Sequence, residues 1–289
     1  MSTTLEPVIG RYVHLGLGGR DYRIYFEEAG QGVPLLCLHT AGADNRQFRG
    51  LLNETRITER YRVIAFDLPW HGKSSPPSGW QGESWRLTGA LYCEMIIAFM
   101  HALELNKPVV MGCSIGGRVC LNLALDHANE FRAIVGLQSA ASTPRYYDAA
   151  WLEHPEVNGP VAGAATVMGL MCPDSPEAER WETLWHYMQG GPGVFSGDLH
   201  FYQIEGDFRD RISHIDTTKT PLYLLTGEYD YSCSPQDTLD TAARIPGANV
   251  RIMPGLGHFP MSENPQAFIE QVLPVLDDIE AQGLDGKPA

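Results

Sequence analysis

The sequence of 289 residues predicts an α/β fold, in which a mostly parallel sheet is covered by helices on both faces. Short apolar segments alternate with helical segments, as in sheets whose parallel strands are joined by crossover helices. One apolar segment is followed by a glycine-flanked serine and then directly by a predicted helix. The stretch 143–212 has only short helical patterns, which predicts a helical cap inserted between two parts of a core domain, 1–142 and 213–289. An irregular connection is the alternative for that stretch.

The strands are predicted from short apolar runs between turn signals. An alternating pattern on both sides of "GGRD" predicts an opening hairpin. A long helix is expected over 87–105, and the last helix is expected to begin at Asn264 and Pro265, where a capping residue precedes a proline. The predicted strands are 11–17, 21–28, 33–39, 61–67, 109–111, 131–138, 221–227 and 248–254.

The segment "PVVMGCSIGGRV" (108–119) carries the pattern G-x-S-x-G. Ser114 stands two positions from Gly112 and two from Gly116. The pattern also occurs by chance, so the segments on either side decide whether it marks a nucleophile. A buried strand precedes the serine and an apolar helix follows it, as a sharp turn with an exposed hydroxyl at its apex requires. Ser114 is therefore the candidate nucleophile.

A nucleophilic serine needs a base, and the base needs a carboxylate that holds its tautomer. Asp230 follows the strand in "LYLLTGEYD", and His258 follows the next strand in "VRIMPGLGHFP". The order Ser, Asp, His is the one expected on a sheet of this kind. Glu228 is a weaker alternative for the acid, because it points to the opposite side of an extended segment, and Asp216 is weaker still.

Other titratable residues have structural interpretations. His39 and His71 lie in two loops that are expected to pack beneath the site, and Asp67 is expected to organise its own loop. The remaining histidines show no ligand spacing. Neither a metal nor another cofactor is predicted.

At these residues the chain resembles the capped α/β-hydrolases, over nearly its whole length apart from the cap. "LHTAGADNRQF" (38–48) is similar to the family's oxyanion loop, "FDLPWHGKSSPP" (66–77) to its D-x-P-G-x-G-x-S segment, and "GHFPMSENPQAF" (257–268) to its histidine loop. Thr40 stands where glycine usually follows the histidine, and Trp70 replaces a common glycine or arginine. A serine nucleophile argues against haloalkane dehalogenase and epoxide hydrolase chemistry, which use aspartate.

The resemblance implies a mechanism for hydrolysis of an ester. His258 removes the proton of Ser114, which attacks the carbonyl carbon and forms an acyl-enzyme that water then cleaves. The oxyanion is expected to be bound by the backbone N–H groups of Ile115 and Ala41, with Thr40 as the alternative to Ala41.

Charge and composition limit the partners. The net charge of −14 argues against nucleic acids and anionic membranes, because both attract a positive surface. No apolar run approaches a membrane span, and the first residues lack a signal pattern. The six cysteines lie far apart and are expected to be reduced core residues. We therefore expect a cytoplasmic monomer or homodimer that acts on a small-molecule ester.

The sequence leaves the substrate open. A carboxylesterase is the first hypothesis; the alternatives are a carbon–carbon bond hydrolase of aromatic ring-cleavage products and a hydrolase-fold receptor for a small ligand. Arg46, four residues beyond Gly42, is a candidate anchor for a substrate carboxylate, as in a mono-alkyl phthalate or another monoester of a dicarboxylic acid. The alternative is a surface arginine paired with Asp44. Met168 and Trp185 are candidates for lining an apolar pocket, or for packing the cap on the sheet.

Overall fold

A computed structural model describes residues 4–142, 150–154, 156–205 and 207–284. The strands are β1 (Ile9–Leu17), β2 (Arg20–Ala29), β3 (Val33–Leu38), β4 (Tyr61–Phe66), β5 (Val109–Cys113), β6 (Ala133–Leu137), β7 (Leu222–Gly227) and β8 (Asn249–Met253). The helices are α1 (Arg49–Leu52), α2 (Thr55–Thr58), α3 (Gly89–Ala102), α4 (Ile115–Asp126), α5 (Gly159–Met168), α6 (Glu177–Met188), α7 (Val194–Glu205), α8 (Arg209–Ile212), α9 (Pro235–Ala242), α10 (Pro260–Glu263) and α11 (Pro265–Leu284). Short 3₁₀ turns span Asn45–Phe48, Ala128–Glu130 and Ala150–Glu153.

The strands form one 8-stranded sheet in the order β1-β2-β4-β3-β5-β6-β7-β8. The pairs β1–β2 and β2–β4 are antiparallel, and the remaining pairs are parallel. The prediction of a mostly parallel α/β sheet is therefore confirmed. From β3 the chain crosses to β4 on one side and then to β5 on the other, so the loops after β3 and β5 meet where ligands bind in open α/β sheets.

The core lies on both faces of the sheet, because alternate residues of a strand point to opposite faces. In β5, Val110 packs in the apolar cluster that contains the buried side chains of α3 and α4. Val109 and Met111 pack on the other face, in the cluster that contains Phe268 and Val272 of α11. Each of these strand residues is fully buried.

Helices α5 to α8 lie between β6 and β7, so the expected helical insertion is confirmed. Its first seven predicted residues, 143–149, lie outside the described residues, and its limits as a separate cap domain stay a prediction. The six cysteines are buried and form no disulfides. In the part of the chain that the structure describes, no helix is long and apolar enough to span a membrane.

We expect Gly112→Ala to destabilise the fold by about 2 kcal/mol or more. An added Cβ would lie 2.2 Å from the backbone oxygen of Gly116, which cannot rotate away. Gly169→Ala is the matched control, because Gly169 has helical backbone angles and, apart from its own stretch of chain, no atom of the described residues lies within 4 Å of the added carbon. Urea unfolding measures both variants, and equal stability would contradict this packing.

Candidate active site

Ser114 occupies a sharp turn between β5 and α4. Its backbone angles are φ 58° and ψ −114°, which residues other than glycine rarely adopt. A Cβ at Gly116 would lie 2.7 Å from the carbonyl oxygen of Leu38. Glycine is therefore required for the first turn of α4 to pack against the end of β3. Gly117, which the sequence motif did not single out, packs as closely against the end of β6.

Asp230 and His258 lie beyond the ends of β7 and β8 and share a hydrogen bond. Nδ1 of His258 donates to Oδ2 of Asp230 over 2.8 Å. The other carboxylate oxygen accepts from the backbone N–H groups of Ser232 and Cys233, at 2.8 and 3.0 Å. With Nδ1 protonated and facing Asp230, Nε2 of the neutral ring is left as the basic nitrogen. Both side chains are buried.

Backbone and side-chain hydrogen bonds bring the loops that carry these residues together. The N–H of Ser114 donates to the carbonyl of Leu137 over 3.0 Å. The thiol of Cys113 donates to the carbonyl of His258 over 3.3 Å, which holds the histidine loop against the turn. Gln138 donates to the carbonyl of Gly257 over 2.7 Å and accepts from the N–H of Gly227 over 2.8 Å. The loops after four neighbouring strands therefore form one hydrogen-bonded layer.

The weaker candidates for the acid and the base are exposed or already have hydrogen-bond partners. Glu228 is exposed and accepts from the N–H of Gly255 over 3.2 Å, and Asp216 is exposed and bonds to Thr218. His39 donates through Nδ1 to the carbonyl of Thr40 and accepts at Nε2 from Leu68. A buried histidine with both ring nitrogens engaged has no lone pair left for substrate.

Asp67 and His71 also have structural surroundings. The two carboxylate oxygens of Asp67 accept from the backbone N–H groups of Asn45 and Lys73, over 2.9 and 2.8 Å. This is the loop-organising arrangement expected from the sequence. Both ring nitrogens of His71 likewise lie within hydrogen-bond distance of oxygen atoms, at 2.8 and 2.9 Å.

The N–H groups of Ala41 and Ile115 are the predicted oxyanion donors, and the N–H of Thr40 is the alternative to that of Ala41. The N–H of Thr40 donates to Oε1 of Gln47 over 3.0 Å. Among the described residues, no acceptor contacts the N–H of the buried Ala41. Ile115 is the first residue of α4, so its N–H has no acceptor within the helix. The geometry thus favours Ala41 over Thr40.

Residues 35–271 match the model of the alpha/beta hydrolase family, which is well over half of the chain. The chain belongs to this family. An uncharacterised protein of Mycobacterium tuberculosis is 22% identical over 284 residues, with 91% of this chain and 81% of that protein covered.

Two further relatives have named activities. A thermophilic esterase from Thermogutta terrifontis has a similar structure, with a TM-score of 0.81, 19% identity, and 93% of this chain and 99% of that chain covered. The 2-hydroxymuconate semialdehyde hydrolase of Pseudomonas putida is 29% identical over 130 residues, 45% of this chain and 43% of that protein. At 19% identity the structural likeness establishes an alpha/beta hydrolase fold and leaves the substrate open.

Arg46 has partners that match the alternative to a substrate anchor. Its Nε and Nη2 donate to the two carboxylate oxygens of Asp44, over 2.8 and 2.5 Å, and Nη1 donates to Gln189. A guanidinium held in this bidentate way is already paired. The structure therefore gives no support to Arg46 as an anchor for a substrate carboxylate.

Met168 and Trp185 do not face the interior of this alpha/beta hydrolase. Met168 of α5 is 52% exposed, and Trp185 of α6 is 56% exposed. The same helices bury Val167 and Tyr187 instead, because only one face of each helix packs on the protein. The expectation that the two larger side chains line a pocket, or pack the cap on the sheet, is not supported.

Tyr202 of α7 is a site residue that the sequence analysis missed. Its hydroxyl lies 3.5 Å from Oγ of Ser114. Burial raises the pKa of this phenol far above its ordinary value, so the hydroxyl stays protonated and can act as a donor. Asp198 lies one helical turn earlier, and the i, i+4 spacing was the signal that both face the same way. Helical spacing does not reveal which core loop that face covers.

We expect Tyr202→Phe to slow the labelling of Ser114 by a fluorophosphonate about fivefold, because one hydrogen bond to the reacting group contributes about 1 kcal/mol. The second-order rate constant of labelling measures this. Tyr92→Phe is the control, since the hydroxyl of Tyr92 is buried without a partner among the described residues. An unchanged rate in Tyr202→Phe would remove Tyr202 from the site.

Proposed function

We propose that this alpha/beta hydrolase is a serine carboxylesterase that cleaves small-molecule esters through Ser114, His258 and Asp230. The observation that carries the proposal is the 2.8 Å hydrogen bond between Asp230 and His258, formed at the edge of the sheet where Ser114 lies on its strained turn. A base oriented by a carboxylate, on a loop that is hydrogen-bonded to the turn of a serine, is the arrangement that serine acyl transfer requires.

The chemistry follows from the tautomer of His258. With its Nδ1–H directed at Asp230, Nε2 accepts the proton of Ser114 as Oγ attacks the carbonyl carbon. His258 then returns this proton to the leaving alkoxide, and the alcohol departs from the acyl-serine. Water, deprotonated by the same Nε2, attacks the acyl carbon. The bond to Oγ of Ser114 then breaks, Oγ takes the proton back from His258, and the acid is released. Asp230 stabilises the protonated imidazole and stays ionised throughout.

The oxyanion of each tetrahedral intermediate would accept from the N–H groups of Ala41 and Ile115. Both residues are buried, so these donors act where water does not compete. A donor of this kind lowers the barrier by about 3 kcal/mol. The start of α4 adds the favourable field of a helix N-terminus at the second donor.

The named activities of the relatives support ester hydrolysis and keep one alternative open. The structural relative from Thermogutta terrifontis is an esterase. The Pseudomonas putida relative hydrolyses 2-hydroxymuconate semialdehyde, which favours carbon–carbon bond cleavage as the second candidate. Turnover of simple aryl esters, compared with turnover of vinylogous diketo acids, separates the two activities. Binding of a small ligand without turnover would favour the receptor instead.

We expect Ser114→Ala and His258→Ala each to lower aryl-ester kcat by at least about 1000-fold, with little change in Tm. The double variant should be hardly less active than either single variant, because the members of a triad act as a unit. Steady-state kinetics and thermal unfolding measure both effects. A Ser114→Ala protein that retains most of its activity would refute the proposal.

Labelling identifies the nucleophile independently of turnover. A fluorophosphonate should modify Ser114 once per chain and leave the adjacent Cys113 unmodified. Burial, followed by the nearby charge of Asp230, raises the pKa of the Cys113 thiol well above its ordinary value, so the reactive thiolate is scarce. Peptide mapping after labelling locates the adduct, and an adduct on Cys113 would contradict the proposal.

We expect Arg46→Ala to change KM for a monoester of a dicarboxylic acid and for the matching neutral diester by the same factor. The physical reason is that the guanidinium already forms a bidentate pair with Asp44. Parallel kinetics on the two esters measure the ratio. A KM raised selectively for the acid would restore Arg46 as the substrate anchor and favour monoesters such as mono-alkyl phthalates.

A further inference from the structure

Asp198 is a fully buried carboxylate on α7 that accepts from three separate parts of the core. Oδ2 accepts from the backbone N–H of Gly42 over 2.7 Å and lies 2.8 Å from Nε2 of His71. Oδ1 accepts from the indole N–H of Trp85 over 2.6 Å. The inserted helices thus reach the oxyanion loop, the loop after β4 and the segment before α3 through a single side chain.

The surroundings of His71 favour its protonated form. Its Nδ1 lies 2.9 Å from the carbonyl oxygen of Pro69, which only accepts, and its Nε2 faces the carboxylate of Asp198, so both nitrogens donate. Burial opposes this charge, but the carboxylate of Asp198, with Asp67 nearby, outweighs burial and raises the pKa of His71. Burial, and then the positive charge of His71, lower the pKa of the neighbouring His39 to about 4. His39 is therefore neutral beside a charged pair.

The pair acts on the backbone around Ala41. The turn closes with a hydrogen bond from the N–H of Ala43 to the carbonyl of Thr40. Gln47 holds the N–H of Thr40, and Asp198 holds the N–H of Gly42. The unengaged N–H of Ala41 therefore lies between two tethered peptide groups. Gly42 has a φ of +69°, which glycine adopts without strain, so this turn can form between the two tethers.

We propose that Asp198, paired with His71, is a positioning residue for the oxyanion hole: by binding the N–H of Gly42 it directs the N–H of Ala41 toward the developing oxyanion. The inference rests on the proposed function, because it concerns the transition state of that reaction. Through Asp198 the inserted helices would take part in catalysis itself, in addition to any part in covering the substrate.

The contact of Asp198 matters because an N–H donor helps catalysis only when it already points to the oxyanion site before negative charge develops there. Loss of one oxyanion donor lowers kcat by about 100- to 1000-fold, and a misdirected donor loses part of that effect. Ground-state binding of a neutral ester depends less on this donor. The expected signature of a positioning role is therefore a lower kcat at nearly constant KM.

The test is Asp198→Asn in the full chain. The amide has one acceptor oxygen, so it cannot satisfy Gly42, His71 and Trp85 as the carboxylate does. We expect aryl-ester kcat to fall about 10- to 100-fold, while KM changes less than about twofold. The inhibition constant of an aryl trifluoromethyl ketone, whose adduct with the serine carries an oxyanion, should rise by a factor similar to the fall in kcat.

Thr183→Val is the matched control. The hydroxyl of the buried Thr183 donates to Oγ of Ser262 over 3.0 Å, so this variant also removes a hydrogen bond between the inserted helices and the core. It should lower Tm and leave kcat and the inhibition constant unchanged. An equal fall of kcat in this control would show that Asp198 acts only through general stability, and would overturn the inference.

His71→Gln is a second variant that tests the same role if Asp198→Asn does not fold. The glutamine amide offers a donor toward Asp198 but no charge, so kcat should fall about 3- to 10-fold, again at constant KM. Wild-type kcat and inhibition in either folded variant would refute the positioning role. That result is distinct from failure of the proposed function, which Ser114→Ala reports by itself.

Discussion

The close contact of backbone with backbone at the start of α4 is the constraint on which the site depends. Gly112, Gly116 and Gly117 let this helix approach the ends of three parallel strands at distances that exclude a Cβ. Ser114 is held at the apex with a positive φ as a result. The strain at one residue is sustained by packing around it, which includes the buried ends of the strands on both sides. A looser turn would let the serine relax and lose its direction.

Buried carboxylates then join segments that are distant in the chain. Asp230 orients His258, and Asp198 joins the inserted helices to the oxyanion loop. Glu263 has a similar place: it accepts from the N–H groups of Cys172, Gly257 and Phe259 and from the hydroxyl of Ser175. Burial raises the pKa of Glu263 despite these donors. Each carboxylate accepts from at least one backbone N–H group, and such buried donors need a partner.

These contacts mean that the inserted helices and the loops that carry Ser114 and His258 are not independent. Tyr202 approaches Ser114 from α7, and the N–H of His258 donates to the carbonyl of Leu170 between α5 and α6. A change at these particular contacts is therefore expected to alter the chemistry as well as the shape of the substrate site. This is one physical reason why proteins of one family, with the same strand ends, differ in the bonds they cleave.

The sequence by itself determined the sheet, the helical insertion and the positions of Ser114, Asp230 and His258 at strand ends. Those features depend on apolar periodicity and on turn residues, which are local along the chain. Only the tertiary structure decided that Arg46 pairs with Asp44, that Trp185 is exposed, and that Asp198 binds Gly42 across 156 positions. Spacing along a helix shows which residues share a face. Which loop that face meets depends on how distant segments pack, and no local pattern encodes it.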